Sequence, residues 1–98
     1  MNNKNYYVVE LLVRNHPGVM SHITGLFARR AFNLEGIICT KVGDGLTSKM
    51  FLLVKNDAAL EQIIKQLEKL YDVLSVTLHK DYDISIFENI DMYLKQGE

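Results

Sequence analysis

The segment Tyr6-Tyr7-Val8-Val9-Glu10-Leu11-Leu12-Val13-Arg14-Asn15-His16-Pro17-Gly18-Val19-Met20 decides the fold, because an apolar run stops within it and a helical pattern starts. Residues 6–14 are rich in β-branched and aromatic residues with apolar odd positions, which predicts a strand with one buried face. After that strand, apolar residues recur at helical spacing and predict a helix over about residues 17–31. Asn15 or His16 is its expected cap. The turn between the two elements exposes helix N–H groups, which attract a carboxylate or phosphate.

The rest of the chain continues the alternation of strands and helices. Asn33 is expected to end the first helix in a left-handed conformation. A second strand over 34–42 and a third over 48–55 are joined by Gly43-Asp44-Gly45-Leu46-Thr47, which is typical of a β-hairpin. The second strand is expected to place alternate residues on one face: Leu34, Gly36, Ile38, Thr40 and Val42.

The last third of the domain repeats the pattern. Asn56-Asp57 is expected to cap a second helix with an apolar face of Leu60, Ile63, Ile64, Leu67, Leu70 and Tyr71. A final strand over 73–79 follows, with Leu74, Val76 and Leu78 on one face. The order β-α-β-β-α-β predicts an α+β, ferredoxin-like fold. Right-handed crossovers place both helices on one face of a four-stranded antiparallel sheet.

Two segments are expected, a domain over 6–80 and a short tail over 81–98. The tail carries five acidic residues and one lysine, yet Ile86, Ile90, Tyr93 and Leu94 follow helical spacing. This pattern predicts an acidic amphipathic segment that packs on the domain or binds a partner.

Composition excludes several classes of protein. The chain has 98 residues, of which 48% are hydrophobic and 23% charged, as in an ordinary single globular domain. A net charge of −1 gives no reason to expect nucleic acid or a membrane surface as partner. The N-terminus lacks the apolar core of a signal peptide, and one cysteine cannot form an internal disulfide. We therefore expect a cytoplasmic protein.

Few residues suggest catalysis or metal binding. Cys39 lies within a strand and is expected to be a partly buried structural thiol rather than a nucleophile. His16 and His22 are not four residues apart, and neither has an acidic neighbour in sequence, so no metal site is predicted. Gly36 within a strand predicts a bulge or a close approach by another backbone or a ligand. Taken alone, the turn at Gly18 is either a simple helix start or a binding turn, and Asn33 is either a cap or a ligand contact.

Two adjacent motifs carry a resemblance to a known family. The run from Val13 to Met20 contains N-x-P-G, and the run from Gly25 to Ile37 contains G-L-F-x-R-R-x-x-N. Together they resemble the ACT domain of acetohydroxyacid synthase (acetolactate synthase) small subunits. The chain is similar to the short, single-domain version of that family found with one bacterial isozyme. Ala31 stands where the family frequently has glycine.

The resemblance implies a non-catalytic regulatory subunit. Such a subunit binds and activates a catalytic large subunit and confers feedback inhibition by a branched-chain amino acid, usually valine. Thiamine diphosphate, flavin and magnesium belong to the large subunit, so no cofactor is expected on this chain. The resemblance also implies a side-by-side homodimer with the effector at its interface. One copy would contribute Asn15, Pro17, Gly18, Val19 and Met20, and the other Asn33, Ile37, Ile38 and Cys39.

Two other functions compete with this one. The chain could be a free-standing amino-acid sensor or dimerisation module without a synthase partner. It could also be a small ferredoxin-like enzyme of the acylphosphatase kind, for which Arg14 and Asn15 are the only crude candidates for anion holding and water positioning.

Overall fold

A computed structural model describes residues 5–96 and confirms the ferredoxin-like order. The elements are β1 (Tyr6–Arg14), α1 (Val19–Arg29), β2 (Leu34–Val42), β3 (Thr47–Lys55), α2 (Leu60–Glu68), β4 (Val73–His79), α3 (Ser85–Glu88) and α4 (Ile90–Lys95). Residues 1–4 of the predicted polar N-terminus, and 97–98 of the predicted tail, lie outside the described residues.

The four strands form one antiparallel sheet in the order β2-β3-β1-β4. The central strand β1 pairs along its whole length with β3, from Tyr6 opposite Lys55 to Arg14 opposite Thr47. Its odd-numbered residues face α1 and α2 and form the main core with apolar residues of both helices. The predicted inner face of β1 is therefore confirmed, and β2 and β4 are the two edges of the sheet.

Two irregularities in the edge strands overturn predicted faces. The register of β2 shifts between Leu34 and Gly36, so Leu34 packs in the helix-side core while Gly36 lies on the opposite face. In β4 the pairing skips Leu74, which is 42% exposed, and Val73 takes the inner position instead. Both errors have one cause, since an extra residue in a strand reverses the alternation beyond it. The bulge predicted at Gly36 is confirmed.

The helices are shorter than predicted. Helix α1 begins at Val19 rather than Pro17 and ends at Arg29, and the left-handed residue after it is Ala31 (φ 53°), not Asn33. Helix α2 ends at Glu68, which leaves Tyr71 80% exposed instead of on the apolar face. Among residues 5–96, no helix combines the length and apolarity needed to cross a membrane.

The outer face of the sheet, opposite α1 and α2, is partly covered by the chain beyond β4. Ile84, only 3% exposed, packs against Val8 and Leu53. The ring of Phe87 approaches Gly36 so closely that a Cβ there would lie 2.9 Å from its Cδ1 atom. The bulge in β2 therefore places a glycine where an aromatic side chain, rather than the backbone or ligand predicted, comes close.

A polar group fastens the same segment to the sheet. The Glu10 carboxylate lies 2.7 Å from His79 Nε2 and 3.0 Å from Lys49 Nζ, and the Tyr82 hydroxyl donates to it at 3.4 Å. The His79 and Tyr82 rings stack with centroids 3.7 Å apart. Hydrogen bonding to Lys49, and then to His79, lowers the pKa of Glu10. The Glu10 carboxylate thus helps to hold the segment after β4 against the outer face of the sheet.

Replacing Ile84 with alanine should release this segment, because the side chain fills the apolar contact beneath it. Deletions of this size in a core cost about 2–5 kcal/mol, and here the loss falls on a short segment near the chain end. We expect faster amide hydrogen exchange over residues 84–96, with β1 and β3 still protected. Ile90→Ala, at a position that is more exposed, is the matched control. Unchanged exchange in Ile84→Ala would contradict this account of the outer face.

Candidate functional site

The turn between β1 and α1 has a backbone that favours glycine. Gly18 adopts φ 92° directly before Val19, the first residue of α1. A Cβ on Gly18 would meet nothing within 4 Å, so the requirement is conformational rather than steric. The predicted caps Asn15 and His16 are wrong, because no side chain caps α1. Their polar atoms are used elsewhere.

The start of α1 therefore leaves backbone donors open. The His22 N–H already donates to the Gly18 carbonyl, and the Val19 N–H makes a long 3.3 Å bond to the His16 carbonyl. The N–H groups of Met20 and Ser21 come before the first carbonyl that the helix could offer them. Both residues are exposed, and the helix dipole adds partial positive charge here. This arrangement suits a carboxylate.

Asn15 braces the turn against the β2–β3 hairpin. Its Nδ2 donates to the Gly45 carbonyl at 2.7 Å, and its backbone N–H donates to the Leu46 carbonyl at 3.0 Å. The side chain therefore holds the turn with its amide nitrogen, and its Oδ1 is the atom that could accept a bond from a ligand ammonium group.

A second contact that holds the turn comes from Asp72, which the sequence patterns did not identify. Asp72, 8% exposed in the connection between α2 and β4, lies 2.7 Å from His16 Nε2 and 3.4 Å from His22 Nδ1. Its carbonyl also accepts the Arg14 N–H at 2.8 Å. Asp72 is far from both histidines in sequence, but the sheet brings the end of β1 beside the start of β4.

The contact between His16 and Asp72 shifts the pKa values of both residues. The hydrogen bond to Asp72, and then the one to the Pro17 carbonyl, raises the pKa of His16. The hydrogen bond from His16 lowers the pKa of Asp72 despite its burial. Residues 5–96 contain no group of three His, Cys, Asp or Glu side chains arranged to hold a metal ion. The cluster contains an ion pair between His16 and Asp72, with His22 beside the same carboxylate.

The predicted site residues on β2 do not share one surface. Ile37 and Cys39 lie opposite Leu52 and Met50 on the helix side, whereas Ile38 lies opposite Phe51 on the outer face. Ile38 lines a cavity of about 230 Å³ between the outer face and the segment after β4. The run Ile37 to Cys39 is thus divided between the two faces of the sheet.

Cys39 is exposed, not partly buried as predicted. Partial desolvation of its sulfur raises the pKa of the thiol, which does not favour the thiolate form. The prediction that this residue is partly buried was wrong. An edge strand has no neighbour on one side, which leaves this residue open to solvent.

Topology separates the turn from Asn33 within one chain. Strands β1 and β2 both run antiparallel to β3, so they run parallel to each other. The turn follows the end of β1, whereas Asn33 precedes the start of β2 and donates from Nδ2 to Glu35 at 2.8 Å. A nine-residue strand spans about 30 Å at about 3.3 Å per residue. One copy of the chain therefore cannot bring Asn15 and Asn33 to one small ligand.

Comparison with known proteins gives consistent relatives. The family described as "AHAS small subunit-like ACT domain" matches residues 9–75. The acetolactate synthase isozyme 1 small subunit of Escherichia coli K12 is 49% identical over 88 residues, covering 90% of this chain and 91% of the relative.

Two solved structures extend the comparison. The acetolactate synthase small subunit from Thermotoga maritima is 40% identical with a TM-score of 0.67, covering 74% of this chain and 46% of the other. The regulatory subunit of aspartate kinase from Thermus thermophilus, in its ligand-free form, has a TM-score of 0.68 at 21% identity. It covers 80% of this chain and 52% of that one, and at this identity it supports the fold alone.

Replacing Asp72 with asparagine should lower the melting temperature most where both partners are charged. His16 has a raised folded-state pKa, so its contribution is complete below its unfolded value of about 6.5 and is lost as pH rises through the folded value. Asp72 has a lowered pKa, so its contribution is present above about 3.9 and is lost as pH falls through the folded value.

Thermal melts of wild type and Asp72→Asn followed by circular dichroism should therefore differ more near about pH 6 than near about pH 9. Asp91→Asn, which removes only an exposed pair with Lys95, is the control and should show little difference at either pH. A pH-independent difference for Asp72→Asn would show that the brace is not ionic.

Proposed function

The chain belongs to the ACT-domain family of acetohydroxyacid synthase small subunits, and from that premise we propose that it is a non-catalytic regulatory subunit. It binds and activates a catalytic large subunit and confers feedback inhibition by valine in branched-chain amino acid biosynthesis. The observation that carries the effector part of this proposal is the start of α1, which has no side-chain cap among the described residues and where Met20 and Ser21 are exposed.

Valine matches the groups that surround this turn. Its carboxylate would accept the open N–H groups of α1, and its ammonium group would donate to Asn15 Oδ1. Its branched side chain would lie against Met20, which is 38% exposed. A pocket of this kind separates valine from a neighbour differing by one methylene by only about 1–3 kcal/mol.

A second copy of the chain completes the site. Edge strand β2 can pair with β2 of another copy across a two-fold axis, extending the sheet to eight strands. Antiparallel pairing of this kind reverses the partner strand, so the partner's Asn33 lies at the same end of the sheet as the turn. This geometry overcomes the separation of about 30 Å that a nine-residue strand imposes within one chain. The partner's Ile37 and Cys39, on the helix side, would line the remaining space.

Regulation requires that valine discriminate between docked states. An effector with equal affinity for an active and an inhibited complex changes nothing, however tightly it binds. The large subunit must therefore contact a surface that the dimer site influences, or contact the dimer itself. Residues beyond β4 offer one such surface, because Met92, Tyr93 and Leu94 on α4 are exposed and apolar. We assign residues 81–98 to contact with the large subunit and residues 6–80 to the effector domain.

Asn33→Ala should weaken L-valine binding about 10-fold or more, since a hydrogen bond to a charged group contributes about 1.5–3 kcal/mol. Isothermal titration calorimetry measures this directly. Asn33 is a cleaner target than Asn15, whose substitution would also release the hairpin. Asn56→Ala, an exposed asparagine after β3, is the matched control. Equal affinity of Asn33→Ala and wild type would remove Asn33 from the site.

Mixing the protein with the large subunit of its own host should raise acetolactate formation, and valine should reverse the increase. The double variant Met92→Glu, Leu94→Glu should lose activation but keep valine binding, because a charged α4 cannot bury its apolar face. Leu74→Glu, also at an exposed apolar position, is the control.

Full activation by the double variant would contradict the assignment of α4 to the large subunit. Absence of any effect of the wild-type protein on the synthase would favour a free-standing sensor.

A further inference from the structure

Both ring nitrogens of His16 face oxygen atoms that can only accept hydrogen bonds. Nδ1 lies 2.6 Å from the Pro17 carbonyl, and Nε2 lies 2.7 Å from Asp72 Oδ1. A neutral imidazole carries one N–H and can satisfy only one of these contacts, whereas the imidazolium ion satisfies both. The geometry of the turn therefore selects the protonated form of His16.

The charged groups around His16 favour that form. Asp72 contributes the nearest opposite charge and is held by the connection between α2 and β4. His22, from α1, shares the same carboxylate at 3.4 Å. Arg14, from β1, opposes the cation but its guanidinium lies over the ring of Tyr71, 4.6 Å from the centroid. The balance raises the pKa of His16.

His16 lies in the turn between Asn15, which contacts the β2–β3 hairpin, and Gly18, which directly precedes α1. Its ring holds the carbonyl of Pro17, the residue before Gly18, and so constrains the path by which the chain enters α1. The same cation lies within the four-residue link that leads to the open N–H groups. A positive charge there adds to the field that the helix start already presents to an anion.

We propose that His16 is a proton-linked positioning residue, which fixes the turn and strengthens binding of an amino-acid carboxylate only while its imidazole is protonated. Asp72 acts through His16 by holding the imidazolium in place. The ligand in this inference rests on the proposed function, whereas the selection of the imidazolium form rests on the two contacts alone.

Because linkage between proton binding and valine binding is reciprocal, two effects can be measured. Valine binds more tightly when His16 is protonated, and bound valine in turn raises the pKa of His16. Because the charge is exposed and acts beside a helix terminus, the expected change in affinity is about two- to fivefold. Neither effect requires the large subunit.

The test combines calorimetry with a proton NMR titration of the three histidine rings, with and without L-valine. Wild type should bind valine about two- to fivefold more tightly near about pH 6 than near about pH 8.5. The His16 ring should titrate above its ordinary range, and higher still with valine. His16→Gln, which keeps a donor toward Asp72 but no charge, should lose the pH dependence.

Two further histidine variants serve as controls. His79→Gln lies on the outer face of the sheet and should keep the full pH dependence. His22→Gln should also keep it, because His22 is farther from Asp72 and more exposed than His16.

A pH dependence that survives in His16→Gln, or a His16 ring that titrates at or below its ordinary range, would overturn the inference. Failure of wild type to bind valine at any pH would overturn the proposed function and the effector half of this inference together. The ring titration without valine would still decide whether the turn holds an imidazolium ion.

Discussion

An α-helix cannot satisfy its own first N–H groups, and this constraint governs the whole arrangement. Most helices solve it with a side-chain cap. Here the two polar residues available, Asn15 and His16, instead brace the turn against the hairpin and against Asp72. These contacts hold the chain where it enters α1, while no side chain among residues 5–96 caps the helix. A helix start of this kind attracts an anion.

The sheet topology then separates two residues of the proposed site within one copy. Because β1 and β2 run parallel with β3 between them, the turn and Asn33 fall at opposite ends of the sheet. Edge strand β2 is the natural surface for a second copy, and two-fold pairing would return the partner's Asn33 to the turn. Under the proposed function, a site that contains both Asn15 and Asn33 therefore needs a second copy of the chain. Ile84 and Phe87 cover the outer face of the sheet, and β2 is one of its two edge strands.

Local sequence patterns located the strands and the bulge at Gly36, but they did not predict how each irregularity changes which residues face the core. Alternation over 34–42 located β2 correctly, yet the bulge before Gly36 moved Leu34 to the other face, since an extra residue reverses the period of two. Standard capping preferences favoured Asn33 for the left-handed exit from α1, but Ala31 adopts that conformation instead (φ 53°). The turn of the candidate site was recognisable from N-x-P-G. Its second brace was not, because Asp72 approaches only after the sheet has formed.

The central claim is that the backbone at the start of α1 receives the carboxylate of an amino acid across a two-fold interface. Amide chemical shifts of isotope-labelled protein, followed during titration with L-valine, test it most directly. The account predicts that the largest shifts occur at Met20 and Ser21 and along Ile37 to Cys39, with much smaller shifts for D-valine. Shifts confined to the outer face around Val8 and Phe51, with those amides unmoved, would contradict it.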